Sequence, residues 1–69
     1  MPEIEMNGIY QHYKGGLYKV TGLARHHETG QFWVIYTSSD GTWVRPLIEF
    51  TGYKKGHIKR FEYVGPGGR

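Results

Sequence analysis

The chain contains no cysteine, so no disulfide staples it, and a reducing compartment is the natural setting. No run approaches the ~20 apolar residues a membrane helix needs. Met1 to Met6 has neither a basic flank nor an apolar stretch, so a secretory signal is not expected there. These absences predict a small soluble protein of the cytoplasm with no membrane role. Helix signals are almost missing. Carboxylates are few and scattered: Glu28, Asp40, Glu49 and Glu62 form no evident pair. No nucleophile is flanked by a base and an orienting group, and a chain this small has little room for a water-excluding pocket. An enzyme is therefore not the expected reading, and no cofactor is implied.

What is present is aromatic. Six Tyr, two Trp and three Phe occur in 69 residues, and each large ring buries roughly 150–250 Å². Without disulfides, these rings must supply the core. Eleven glycines punctuate short strand-forming runs, the pattern of an all-β domain. Strands are predicted over Ile9–Lys14, Leu17–His27, Gln31–Thr37, Thr42–Arg45 and Lys59–Val64. Gly22 marks a bend or bulge in the long second strand. Glu28-Thr29-Gly30 and Ser38-Ser39-Asp40-Gly41 are hairpin turns. Pro46 ends a strand and opens one turn of helix, with Leu47 or Phe50 plugging the interior. Thr51 to Gly56 reads as a polar loop. The fold expected is a five-stranded SH3-like barrel with one helical turn before the last strand. Residues 1–7 would be an extension, 8–64 the domain, and 65–69 a mobile Gly/Pro tail.

Several of these segments also share an order. Gly8-x-Tyr10-x-His12-Tyr13-Lys14-Gly15, Tyr18-x-Val20 and Ala24-Arg25-His26-x-Glu28-Thr29 are followed by Val34-x-Tyr36, Trp43-Val44-Arg45-Pro46, Phe50 and Arg60-Phe61. Together they resemble the bacterial family called domain of unknown function 1653, from about Gly8 to Phe61. Glu49 stands where that pattern leads one to expect Met. The resemblance implies a compact bacterial β-protein and carries no activity, cofactor or catalytic residue.

Candidate sites follow from side-chain chemistry. Trp43 and Arg45 lie two apart, on one side of a strand. With Tyr10, His12, His26 and Tyr36 they form the expected binding surface, because Trp, Tyr and Arg give large contact area at low entropic cost. Its partner would be a protein tail or a small anionic ligand, held by the two-pronged guanidinium. Against this, Trp43 has a core role open to it, and Arg45 an ion pair with Glu28 or Glu62. A second possibility is nucleic acid, contacted by Lys54, Lys55, Lys59 and Arg60. That segment also reads as an ordinary solvated loop, and the net charge of +3 requires no anionic partner. A third is metal binding or catalysis by His12, His26 and Glu28, which needs three convergent ligands. Finally, Trp33 and Ile35 share a face without obvious cover, which suggests a homodimer.

Overall fold

The computed structural model describes residues 4–54 and 56–67. Five strands form one antiparallel sheet: β1 (Gly8–His12), β2 (Leu17–Arg25), β3 (Phe32–Ser38), β4 (Gly41–Pro46) and β7 (Phe61–Pro66). Their spatial order is β4-β3-β2-β1-β7. Between β4 and β7 the chain makes a single helical turn, α1 (Leu47–Phe50), and a small hairpin of β5 (Tyr53–Lys54) and β6 (Ile58–Lys59). The all-β class is as the sequence indicates. Among the described residues no helix is long and apolar enough to cross a membrane.

The expected barrel does not close. β4 and β7 are the two edges of the sheet, and neither pairs with the other. Side chains hold these edges apart: the Arg45 guanidinium on β4 lies 5.7 Å from the centre of the Phe61 ring on β7. The sheet is nonetheless strongly curled, since Tyr36 on β3 and Phe61 on β7 bring their rings to 5.5 Å. Gly22 produces part of this curl. The β2–β3 register slips between Val20 and Gly22, so one long strand serves two directions. A Cβ at Gly22 would press to 3.2 Å against the Ile35 side chain.

The interior is the aromatic one the composition demands. Tyr10, Val20, Val34, Tyr36, Phe50 and Phe61 are buried, with Ile4, Tyr18, Leu23 and Leu47 packed around them. Phe50 and Phe61 stack face to face at 4.1 Å and 9°. Tyr10 and Tyr36 meet Phe50 at 5.2 and 5.3 Å. Pro46 starts α1 where a missing N–H costs nothing, and the Thr51 N–H and hydroxyl both return to the Leu47 carbonyl at 2.9 Å. That one turn exists to drop Phe50, 1% exposed, into the curl.

Several boundaries depart from expectation. β1 ends at His12, because Gly15 and Gly16 turn with φ of 100° and 88°. β2 ends at Arg25, leaving His26 and His27 in the loop. The expected polar loop holds β5, and Lys59, the expected start of the last strand, belongs instead to β6; the hairpin they form is tied back by Arg60 N–H to the Gly52 carbonyl at 3.1 Å and Tyr13 N–H to the Arg60 carbonyl at 3.0 Å. β7 runs to Pro66, past the expected end at Val64, pairing Gly65 with Ile9 and Pro66 with Gly8. Ile4 packs on the core, and Glu5 donates its N–H to the Tyr10 hydroxyl at 3.0 Å, so this part of the N-terminal extension is docked. Met1 to Glu3, Lys55, Gly68 and Arg69 lie outside the described residues.

Truncating a buried ring leaves a cavity that neighbouring rings refill poorly. Phe50→Ala should cost about 3–5 kcal/mol, a large share of the roughly 3–10 kcal/mol expected for a domain of this size. Ile48→Ala, in the same helical turn but 73% exposed, should change stability by no more than about 0.5 kcal/mol. Urea unfolding of the two variants checks both, and equal losses would contradict this account of α1.

Candidate functional site

An open groove of about 630 Å³ lies over the gap between the sheet edges. β4 supplies Thr42, Trp43, Val44 and Arg45 to its wall. Tyr36 and Tyr18 form its floor with Phe61, and His12 closes the far side. Trp43 pairs with Tyr36 across β3–β4, and Arg45 with Val34. Alternation therefore puts Trp43 and Arg45 on the concave side. Trp43 is 45% exposed and anchored at one end, with its indole N–H donating to Ser38 Oγ at 3.4 Å. A Cβ at Gly41 would meet the indole only in ordinary contact at 3.5 Å, so glycine is called for there by its φ of 150° and not by the ring.

Arg45 is the polar centre of the groove. Its Nε–H donates to the Tyr36 hydroxyl at 3.3 Å, and its plane lies over Phe61. Nη1 is 3.6 Å from Glu49 Oε1, beyond direct hydrogen-bond length, and that carboxylate is half-exposed. The acidic neighbour is thus Glu49, one helical turn on, and not Glu28 or Glu62. An exposed i,i+4 pair of this kind contributes about 0.3–0.5 kcal/mol. Nη2 has no acceptor among the described residues, and no carboxylate lines the groove.

His12 sits where β1 meets β7, opposite Phe61 in the register, with the two rings 4.8 Å apart edge to face. Its Nδ1 accepts the Lys14 N–H at 3.1 Å. Burial, followed by the charges of Arg45, Lys14 and Arg60, lowers its pKa below the ordinary 6.5. At neutral pH the imidazole is therefore uncharged. With Nδ1 accepting, its proton is on Nε2.

The six residues expected to form one surface do not all meet. His12, Tyr36, Trp43 and Arg45 converge on the groove. Tyr36 is only 5% exposed and contributes chiefly its hydroxyl edge. Tyr10 is buried, wedged between Phe50 and Tyr63, so it belongs to the core. His26 follows the far end of β2, and its ring faces Trp33 at 6.1 Å. β1 pairs only with the first part of β2, which separates His12 from His26 and Glu28. His26 Nδ1 instead accepts the N–H groups of Glu28 and Thr29 at 3.3 and 3.4 Å, shaping the hairpin loop. Among the described residues no three His, Asp or Glu converge as metal ligands.

Of the basic set, Arg60 donates Nε–H to the Glu49 carbonyl at 3.2 Å, and Lys54 lies over the Tyr13 ring at 5.7 Å. Lys59 is exposed on β6. Lys55 falls outside the described residues. Trp33 and Ile35 are half-buried on the convex face, where a shallow depression of about 280 Å³ runs beside Ala24, His26 and Val44. The Trp33 Nε1 has no hydrogen-bond partner there. Residue-by-residue reading missed Tyr18 and Phe61 as groove residues. Their signal was the inward series Tyr18, Val20 and the alternation Phe61, Tyr63, but placing them on the groove needs the curl of the sheet.

Fold and groove together define a class: a small β-protein built on one curled but open five-stranded sheet, with a cationic and aromatic cleft between that sheet's edges. The chain belongs to the family described as protein of unknown function DUF1653, whose profile matches residues 8–63. It is similar to the crystal structure of a DUF1653 protein from Bordetella bronchiseptica, with 31% identity, a TM-score of 0.76, and coverage of 96% of this chain and 95% of that one. Among curated proteins none matches the chain.

The His12 environment predicts a pH response of known sign. The folded state holds the imidazole proton less tightly than the unfolded chain does, so its contribution to stability is present above about pH 6.5. It is lost as pH falls through the folded pKa. NMR titration should place the His12 midpoint below 6.5, and Arg45→Ala should move it only partly back, since burial is the larger cause. A midpoint at or above 6.5 would contradict the burial reading.

Proposed function

We propose that this protein is a binding module that takes an anionic group with an attached apolar or aromatic body into the groove between β4 and β7. The observation that carries the reading is the state of Arg45. Its guanidinium is oriented by the Tyr36 hydroxyl and the Phe61 face, yet Nη2 is left open in a cleft without a carboxylate wall. A guanidinium fixed in this way loses little rotamer freedom when it accepts a carboxylate or phosphate in two-pronged fashion. Trp43 offers a ring face beside it for the apolar body. Neutral His12 adds an Nε2–H donor without a competing charge.

Glu49 tunes the site. Its carboxylate rests near Nη1, so an incoming anion displaces a weak, exposed pair. The test uses phenyl phosphate and phenylacetate as probes in an NMR titration. Resonances of His12, Trp43 and Arg45 should shift together. Arg45→Gln should weaken binding by about ten- to a hundredfold, the range for a charge-assisted hydrogen bond of about 1.5–3 kcal/mol. Glu49→Gln should strengthen it by about two- to fivefold, matching an exposed ion pair. Shifts confined to Lys54 and Lys59, or steeply salt-dependent binding of a single-stranded oligonucleotide there, would overturn the groove reading in favour of nucleic acid.

A further inference from the structure

The groove is bounded on one side by a strand edge whose free hydrogen-bonding groups can be assigned. The β3–β4 hairpin loop has two residues, Ser39 and Asp40, with Ser38 facing Gly41 across it. That closing pair exchanges both of its backbone hydrogen bonds, and in an antiparallel ladder bonded pairs recur at every second position. The bonded pairs are then Tyr36 with Trp43 and Val34 with Arg45. Thr42 and Val44 therefore direct their N–H and C=O groups away from β3. Pro46, next in that series, has no N–H to leave unpaired. Thr42 and Val44 carry their side chains on the face opposite Trp43 and Arg45, yet both line the groove. What they bring to it is backbone. The edge is uncovered: Val44 is 59% exposed, and among the described residues β4 pairs with no strand except β3.

We propose that the occupant is an extended peptide segment of another protein that adds to the β4 edge as a further strand, with an acidic and an aromatic side chain two residues apart. This rests on the groove reading above and assigns its partner. Strand addition gives affinity through main-chain hydrogen bonds and specificity through alternate side chains. Here the bonds go to Thr42 and Val44. The side chains of the added strand that face the groove lie opposite Trp43 and Arg45, so an acid matches the open Arg45 prong by charge and a ring meets the indole. A three- to five-residue segment spans Thr42 to Pro46 at about 3.4 Å per residue. A small anion alone uses Arg45 and leaves the edge groups of Thr42 and Val44 bonded to water.

The probes are acetyl-Thr-Glu-Val-Tyr-Thr-amide and its reverse-order counterpart acetyl-Thr-Tyr-Val-Glu-Thr-amide, which cover antiparallel and parallel addition. Calorimetry and amide NMR should show one of them binding at least tenfold more tightly than phenylacetate, with the Thr42 and Val44 amides shifting. N-methylation of the central Val amide, which faces the edge, should reduce binding at least tenfold. N-methylation of the next residue, facing away, should leave it unchanged. Val44→Pro should block the peptide, and the N-methyl peptides give the same answer without depending on that variant's folding. Equal binding of the edge-methylated peptide overturns strand addition and leaves the groove as a small-anion site. Failure of both peptides and of the small anions overturns the groove reading itself. A self-association abolished by Val44→Pro would make a second copy of the chain the occupant and overturn the peptide assignment.

Discussion

Phe50 and Phe61 stack at 4.1 Å, nearly parallel, at the centre of the molecule. One ring comes from the helical turn that follows β4, the other from the first residue of β7, so a single contact joins the two segments that lead away from opposite edges of the sheet. Tyr10 and Tyr36 pack against the same stack. In a chain without disulfides, this aromatic cluster replaces a covalent staple: each ring contributes buried area, and offset or edge-on contacts add roughly 0.5–1.5 kcal/mol apiece. The stack also sets the curl, and the curl makes the groove. An uncurled sheet would place His12 and Trp43 on distant strands, three positions apart in the order β4-β3-β2-β1-β7.

The sheet stays open because its edges meet through side chains. Arg45 over Phe61 occupies the place where backbone bonds would close a barrel. The same residue that keeps the edges apart is thereby held in a defined pose at the cleft. Structural and binding roles are not alternatives for Arg45. Its Nε and ring-facing surface are used within the fold, and the remaining Nη2 prong points to a partner in our proposal. Trp43 divides in the same way, with its N–H on Ser38 and much of its ring exposed.

Much of this was legible in the chain. Strand-formers between glycines gave the all-β class, the Val20–Gly22 slip was foreshadowed by an isolated glycine within a strand, and Pro46 marked both the end of β4 and the start of α1. The pairing of Trp43 with Arg45 on one face followed from period-two alternation alone. What local pattern could not give was distance between segments. Tyr10 and Tyr36 carry the same chemistry, and only the register decides that the first is wedged beneath Tyr63 while the second reaches the cleft with its hydroxyl. His12 and His26 look equivalent in sequence, yet β2 switches partners from β1 to β3 along its length, and that switch sends them to different ends. Barrel closure was misjudged for a related reason: whether two edge strands meet depends on the side chains between them, and Arg45 and Phe61 are sixteen places apart in the chain. The family resemblance held across residues 8–63, but it brought no chemistry with it.

The central claim is that the β4 edge and Arg45 act together on one ligand. A crystal structure of the protein with the tighter of the two acidic-aromatic pentapeptides bears on it most directly. The account predicts the peptide backbone alongside Thr42 to Val44, with its carboxylate about 2.7–2.9 Å from an Arg45 Nη atom, as charge-assisted bonds require. A peptide seated on the β5–β6 hairpin or the Trp33 face, with the cleft filled only by water, would contradict it.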